Sequence, residues 1–369
     1  MFVHEHWQKF LPINPHWLYF VASVNSIIGL IGFLLNFLVI HYLLKVYRTK
    51  RREKLYFLVN LAIADIVKVS INIPMNVISG YNGKWMFGKI GCSIYGIAGG
   101  LFGFISITTL AFMSFERYMI VQNPLNTIKL GKKFRLNCIL ITWIYSAFFI
   151  IIELFSKNGF ILEGVLISCS FDYLSRDRNS RLTMLIMSIG GFVLPFFVIM
   201  VFYFLTKKAL KSRGKYFYKR RVSLSTTLPK VPNDQKKIEL GTSNIRYSQR
   251  YCIRRNCVII SDKLFEMKQN QLYLIEKCNY SSFLRRDTLV LKKIILCVLF
   301  FVLSWMPYAL VTQYAQYGNN INWFLTPKTI WFPTILAKTS SIYNPIIYTQ
   351  LEVLKLEYKL YLPDMEKIL

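Results

Sequence analysis

The chain reads as an all-α membrane protein: a seven-transmembrane helix bundle followed by a short amphipathic helix 8. Three observations predict this. The 369 residues are 54% hydrophobic and 16% aromatic, with mean hydropathy +0.37, more apolar than a soluble domain of that length. Seven apolar runs recur along the chain, each near the roughly 20 residues a helix needs to cross hydrocarbon. The net charge of +28 is concentrated between alternate runs, as in loops that share the inner side of a membrane.

Residues 1–17 form a polar N-terminal segment with no cleavable leader pattern. The first run, 18–44, is too long for a signal-peptide core and ends in Lys45, Arg48, Lys50, Arg51, Arg52 and Lys54, so it reads as a retained helix. Runs two to five cover 55–80, 90–121, 135–155 and 182–206, completing a helical region over 18–209. The connection after the third run carries Lys129, Lys132, Lys133 and Arg135. Between Lys207 and Lys293 there are 22 Lys and Arg against 6 Asp and Glu. Residues 210–286 therefore read as a long basic loop, largely disordered, with Ser, Thr, Pro, Asn and Gly clustered over 222–245 and one short helix expected within 258–276. Runs six and seven, 288–314 and 327–350, fill 287–350. Within 351–369, Leu351 to Leu362 is amphipathic and suits the inner membrane face.

The basic connections place the N-terminus outside and the long loop inside. Such a charge in a soluble protein would suggest nucleic acid; here the expected partner is anionic lipid. No internal repeat is visible, which argues against an inverted-repeat transporter. Cys92 opens the third helix and Cys169 lies in the loop before the fifth, both on the outer, oxidising side, so they are expected to pair. Cys252, Cys257 and Cys278 fall in the inner loop as reduced thiols, without strong zinc spacing; no metal site is expected.

Lys338 is the residue that asks for a function. It stands at the centre of an apolar run, six residues before Asn344-Pro345, where a charge costs about 2.5–3.5 kcal/mol on insertion scales. Position alone leaves open a chemical role or a paired structural lysine. Other features recur in order: Gly32-x3-Asn36, Leu61-Ala62-Ile63-Ala64-Asp65, Glu116-Arg117-Tyr118, Trp143, Pro195 with Tyr203, Ser304-Trp305-Met306-Pro307-Tyr308, and Asn344-Pro345-x2-Tyr348. Each alone is weak. Together they resemble the rhodopsin-like G-protein-coupled receptor family over nearly all of residues 20–350. Asp65 must pair inside an apolar helix, with Asn36 and Asn344 as natural partners. Pro307 and Pro345 remove backbone hydrogen bonds and permit kinks. Arg117 can pair with Glu116 in the same turn, and the resemblance suggests Asp287 as a second partner.

The run Leu336-Ala337-Lys338-Thr339-Ser340-Ser341 leading to Asn344-Pro345 resembles the seventh helix of opsins, whose matching lysine carries retinal as a Schiff base. The stretch Leu162-Glu163-Gly164 to Cys169-Ser170-Phe171 resembles the loop that covers retinal, most like invertebrate and melanopsin-like opsins. Tyr95, three residues after Cys92, stands where vertebrate visual opsins carry their counterion; the resemblance moves that role to Glu163. It further implies Tyr95, Trp305 and Tyr308 as pocket residues, and Glu116, Arg117, Tyr118, Tyr203, Asp287, Asn344, Pro345 and Tyr348 as the activation and coupling set. It implies a Gq-class G protein, with arrestin and a receptor kinase, in a plasma membrane, and no enzyme activity. Lys68, three residues after Asp65, reads either as its structural partner or as a cation near the pocket. Tyr348-Thr349-Gln350-Leu351-Glu352 departs from opsin patterns after the seventh helix, and no cysteine follows for palmitoylation. A receptor for a diffusible ligand and a retinal photoisomerase are the alternatives. The absence of Asp and Glu from Tyr95 to Thr109 argues against amine binding.

Overall fold

A computed structural model describes residues 3–50, 56–122, 130–227 and 264–347, with side chains in 3–45, 56–122, 130–215 and 288–347. The order is α1 (Glu5–Gln8), α2 (Pro15–Lys50), α3 (Tyr56–Tyr81), α4 (Gly88–Gln122), α5 (Lys132–Leu154), β1 (Phe160–Glu163), β2 (Ser168–Phe171), α6 (Arg178–Ser188), a π turn (Ile189–Val193), α7 (Leu194–Thr227), α8 (Leu264–Tyr317), α9 (Ile321–Phe324) and α10 (Pro327–Lys338). After a turn at Thr339, residues 340–347 are again helical, here α11. Among the described residues six helices are long and apolar enough to cross a membrane: α2, α3, α4, α5, the α6–α7 rod and α8. The seventh crossing is split into α10 and α11. A capping box at Thr326 and Thr329, with Pro327 in the first turn, starts α10.

Two compact units are present: residues up to Phe204 together with those from Lys293, and Leu205–Lys292. The second unit holds the far part of α7 and the first part of α8. Helix therefore extends into the segment read from composition as loop. Leu264 to Asp287 contains no Pro or Gly, and hydropathy marks where a helix leaves lipid, not where it stops. Residues 228–263 and the helix 8 expected over 351–369 lie outside the described residues.

In the first unit, outward-facing apolar side chains such as Leu30, Ile144, Phe197 and Leu303 are exposed, while Asn36, Asp65, Asn76 and Asn344 are buried. A bilayer supplies apolar solvent, so this inverts the soluble pattern. At the end that carries the disulfide, α1, β1 and β2 form an apolar plug. Trp7, Tyr95, Phe160, Leu162, Tyr173 and Leu325 belong to one buried cluster there. The strands pair antiparallel, Leu162 opposite Cys169 and Glu163 opposite Ser168. Cys169 is bonded to Cys92 at the start of α4, so the hairpin is fixed covalently over the bundle. The hairpin turn needs Gly164: its φ is +50°, and a Cβ there would overlap Ile330 of α10.

Candidate functional site

Beneath the hairpin lies a cavity lined by α2, α3, α4, α8, α10 and both strands. Its volume is about 110 Å³. A neighbouring cavity of about 80 Å³ shares Gly103, Phe104, Phe171, Trp305 and Tyr308 with it. Together they make an elongated slot, with Lys338 at one end and Met184, Met187 and Phe192 at the other. On α4 the slot is lined by Gly96, Gly99, Gly100 and Gly103, with Tyr95 and Phe104 flanking them.

The structure brings Lys338, Glu163, Tyr95, Trp305 and Tyr308 to this one cavity. Lys338 closes α10, directly before the break at Thr339, and its Nζ donates to Asn25 Oδ1 at 3.1 Å. Glu163 ends β1 and is buried. Its Oε1 accepts from the Tyr308 hydroxyl at 2.9 Å, and that hydroxyl is in turn hydrogen-bonded to Ser170. Glu163 and Lys338 face the same space without a direct ion pair among the described residues. Burial pushes the Glu163 carboxyl up; the Tyr308 hydrogen bond and the Lys338 ammonium pull it back. The buried indole N–H of Trp305 has no hydrogen-bond partner among the described residues. Trp305 is stacked on Phe301 at 5.7 Å. Asn25 was not anticipated from sequence; an asparagine inside the first apolar run was its only signal.

A polar network lies deeper. Lys68 Nζ donates to Asp65 Oδ1 at 2.8 Å, and Asn344 Nδ2 donates to Asp65 Oδ2 at 3.2 Å. Asn36 does not reach Asp65: its Nδ2 donates to Gly32 O and to Ser341 O, both at 2.8 Å. Lys68 fills both readings considered for it, since it pairs with Asp65 and also lines the cavity.

At the other end of α4 the sequence expectation is corrected. Glu116 is not paired with Arg117. Its Oε1 accepts from Nε of Arg135 on α5 at 2.6 Å and forms an ion pair with Nη2 at 2.6 Å, and both side chains are about 4% exposed. Arg117, next along the chain, lies about 100° further round its helix. An arginine near the start of α5, after Lys132 and Lys133, was the available signal. Tyr118 contacts the Phe202 ring at 5.7 Å, and Tyr203 stands edge-on to Phe204. The side chain of Asp287, and Tyr348, lie outside the described residues.

This arrangement matches a known family. The model of the "7 transmembrane receptor (rhodopsin family)" covers residues 35–348. The chain belongs to that family. It is 31% identical over 349 residues to the rhodopsin of Enteroctopus dofleini, covering 94% of this chain and 66% of that protein. It is 28% identical over 350 residues to "Rhodopsin, GQ-coupled" of Mizuhopecten yessoensis, covering 94% and 60%. It is 31% identical over 337 residues to the melanopsin of Podarcis siculus, covering 90% and 59%. The crystal structure of squid rhodopsin superposes with a TM-score of 0.72 at 27% identity, over 99% of this chain and 93% of that one. The opsin resemblance read from the motifs is thus borne out, as is the seven-helix membrane fold. The chain spans just under two thirds of the length of the octopus relative. These relatives are receptors and not enzymes.

Proposed function

We propose that the chain is a light-sensing receptor that holds retinal on Lys338 and activates a heterotrimeric G protein of the Gq class. The observation that carries this is the joint placement of the Lys338 amine and the Glu163 carboxylate on one apolar slot. The residues suit such a group. An elongated apolar ligand fits a slot with four glycines on its α4 side, and an aldehyde finds the Lys338 amine there, the other lining amine, Lys68, being held by Asp65. The Trp305 indole N–H, unpartnered among the described residues, lies along the same walls. Retinal, when bound, supplies light absorption and a change of shape.

The remaining work falls to the chain. Lys338 anchors, and Glu163 supplies the negative charge that a buried cation needs. Tyr308 orients Glu163, while Tyr95 and Trp305 shape the slot. The Asn36, Asp65, Asn344 and Pro345 region gives the seventh helix a hinge. Glu116, Arg117, Tyr118, Tyr203, Asp287 and Tyr348 form the coupling face. The basic loops support an N-terminus outside a plasma membrane, with arrestin and a receptor kinase as further partners. The Gq assignment rests on likeness to the scallop protein.

The test is the absorption spectrum of purified protein after dark incubation with 11-cis-retinal, with Lys338→Ala and Glu163→Gln alongside. A visible band lost in K338A and displaced toward shorter wavelength at neutral pH in E163Q is expected. A band that persists in K338A defeats the proposal.

A further inference from the structure

A second ammonium stands on the cavity wall, and the reading above gives it no task. Lys68 is 8% exposed and lines the same cavity as Lys338. Its Nζ reaches Asp65 Oδ1 at 2.8 Å and Ser340 Oγ at 3.4 Å. Ser340 opens α11, and Asn344, one turn later, donates to the other oxygen of Asp65. The seventh crossing is interrupted at Thr339, immediately after Lys338. Backbone bonds run through that turn, Thr339 N donating to Ile335 O at 3.2 Å and Ile342 N to Thr339 O at 2.9 Å; side-chain ties to the neighbouring helices add to them, and one α3 ion pair supplies two. Asn36 of α2 supplies a third through Ser341 O.

A buried ion pair is a poor source of net stability, because desolvation offsets the attraction and an apolar side chain of similar volume does as well. Its value lies in fixing one arrangement among several. Lys68 lines the cavity and its Nζ reaches Ser340 of α11, so it joins the slot to the hinge.

We propose that Lys68 is a positioning residue, latching α11 to α3 in the resting receptor and giving way when the wall at Lys338 moves. The proposal rests on the light-receptor reading but is tested apart from it, in retinal-free protein. Lys68→Met keeps the length and apolar stem and removes the donor. Lys68→Gln keeps a donor. Asp65→Asn with Lys68→Met also removes the orphaned carboxylate, and carries the test if K68M does not accumulate. Two readouts are taken without retinal: nucleotide turnover by a purified Gq-class heterotrimer, and amide hydrogen exchange over residues 340–347.

K68M and the double variant are expected to raise turnover about fivefold or more, the lower range of couplings between sites, and to speed exchange over 340–347. K68Q should recover most of the difference in both. A folded K68M or double variant with unchanged turnover and unchanged exchange overturns the latch, as does a loss equal in K68M and K68Q. Failure of the light-receptor reading shows elsewhere, as a retinal band that survives in K338A.

Discussion

Replacing Arg135 by Met tests the ion pair that ties α4 to α5. Arg135 Nε and Nη2 both lie 2.6 Å from Glu116 Oε1. At that separation and an effective dielectric of about 20, the Coulomb attraction is about 6 kcal/mol. Desolvation of two groups that are each about 4% exposed offsets much of it. The net value of the pair over an apolar substitute is therefore small, but removal of one partner strands a buried charge, at about 3–5 kcal/mol. The assay is a double-mutant cycle on detergent-solubilised receptor, unfolded by denaturant, with Arg135→Met, Glu116→Met and both together. R135M is expected to cost about 3–5 kcal/mol, and the double variant to return within about 1 kcal/mol of the unaltered chain. The reasoning is refuted if R135M costs less than about 1 kcal/mol, or if the two single losses simply add.

Three further outcomes follow from the plug. A Cβ at Gly96 would overlap the buried Phe160 ring, so Gly96→Ala should cost about 1–3 kcal/mol of stability and lower the yield of retinal-binding protein, since Phe160 shares β1 with Glu163. Loss of the Cys92–Cys169 bond, which closes a separation of 77 residues, should cost about 4 kcal/mol on the chain-entropy account; equal thermal unfolding of Cys92→Ser/Cys169→Ser would contradict it. Burial holds the His6 imidazole below its ordinary value of 6.5, against the hydrogen bond to Leu325 O. The unfolded segment then takes up a proton first, so docking of α1 is fully present above pH about 6.5 and weakens below it. Protection of the amides over residues 4–10, taken relative to their intrinsic exchange rate at each pH, should fall as pH drops below about 6.5, and His6→Phe should abolish that dependence.

Much of this was legible because membrane helices advertise themselves. Apolar runs fix the crossings, and charges inside them are rare enough to be informative, so Asp65, Lys68 and Lys338 stand out without any structure. Glu163 was legible only through its spacing from Cys169, because a loop carboxylate has no pattern of its own. The Arg135–Glu116 pair was hidden by a nearer candidate: sequence adjacency favoured Arg117, whereas consecutive residues on a helix point about 100° apart and a neighbouring helix can reach one of them alone. The plug helix was hidden too. His6 and Trp7 lie in a polar segment whose periodicity is too short to read, and their burial depends on surfaces contributed by α8 and the α9–α10 connection.

The π turn at Ile189–Val193 bears on how this chain is to be compared with others. A turn that closes on the fifth residue takes up one more residue than an α-turn, so the two flanks of the rod are rephased by about 100°. A residue equated with Tyr203 by counting from Arg178 in a relative without the wide turn falls on the wrong face; counted back from the far end, it does not. Deletion of one residue within Ile189–Val193 can be absorbed by reversion to plain α-helix, leaving both flanking faces in register, whereas a deletion elsewhere in the rod would rotate every side chain beyond it.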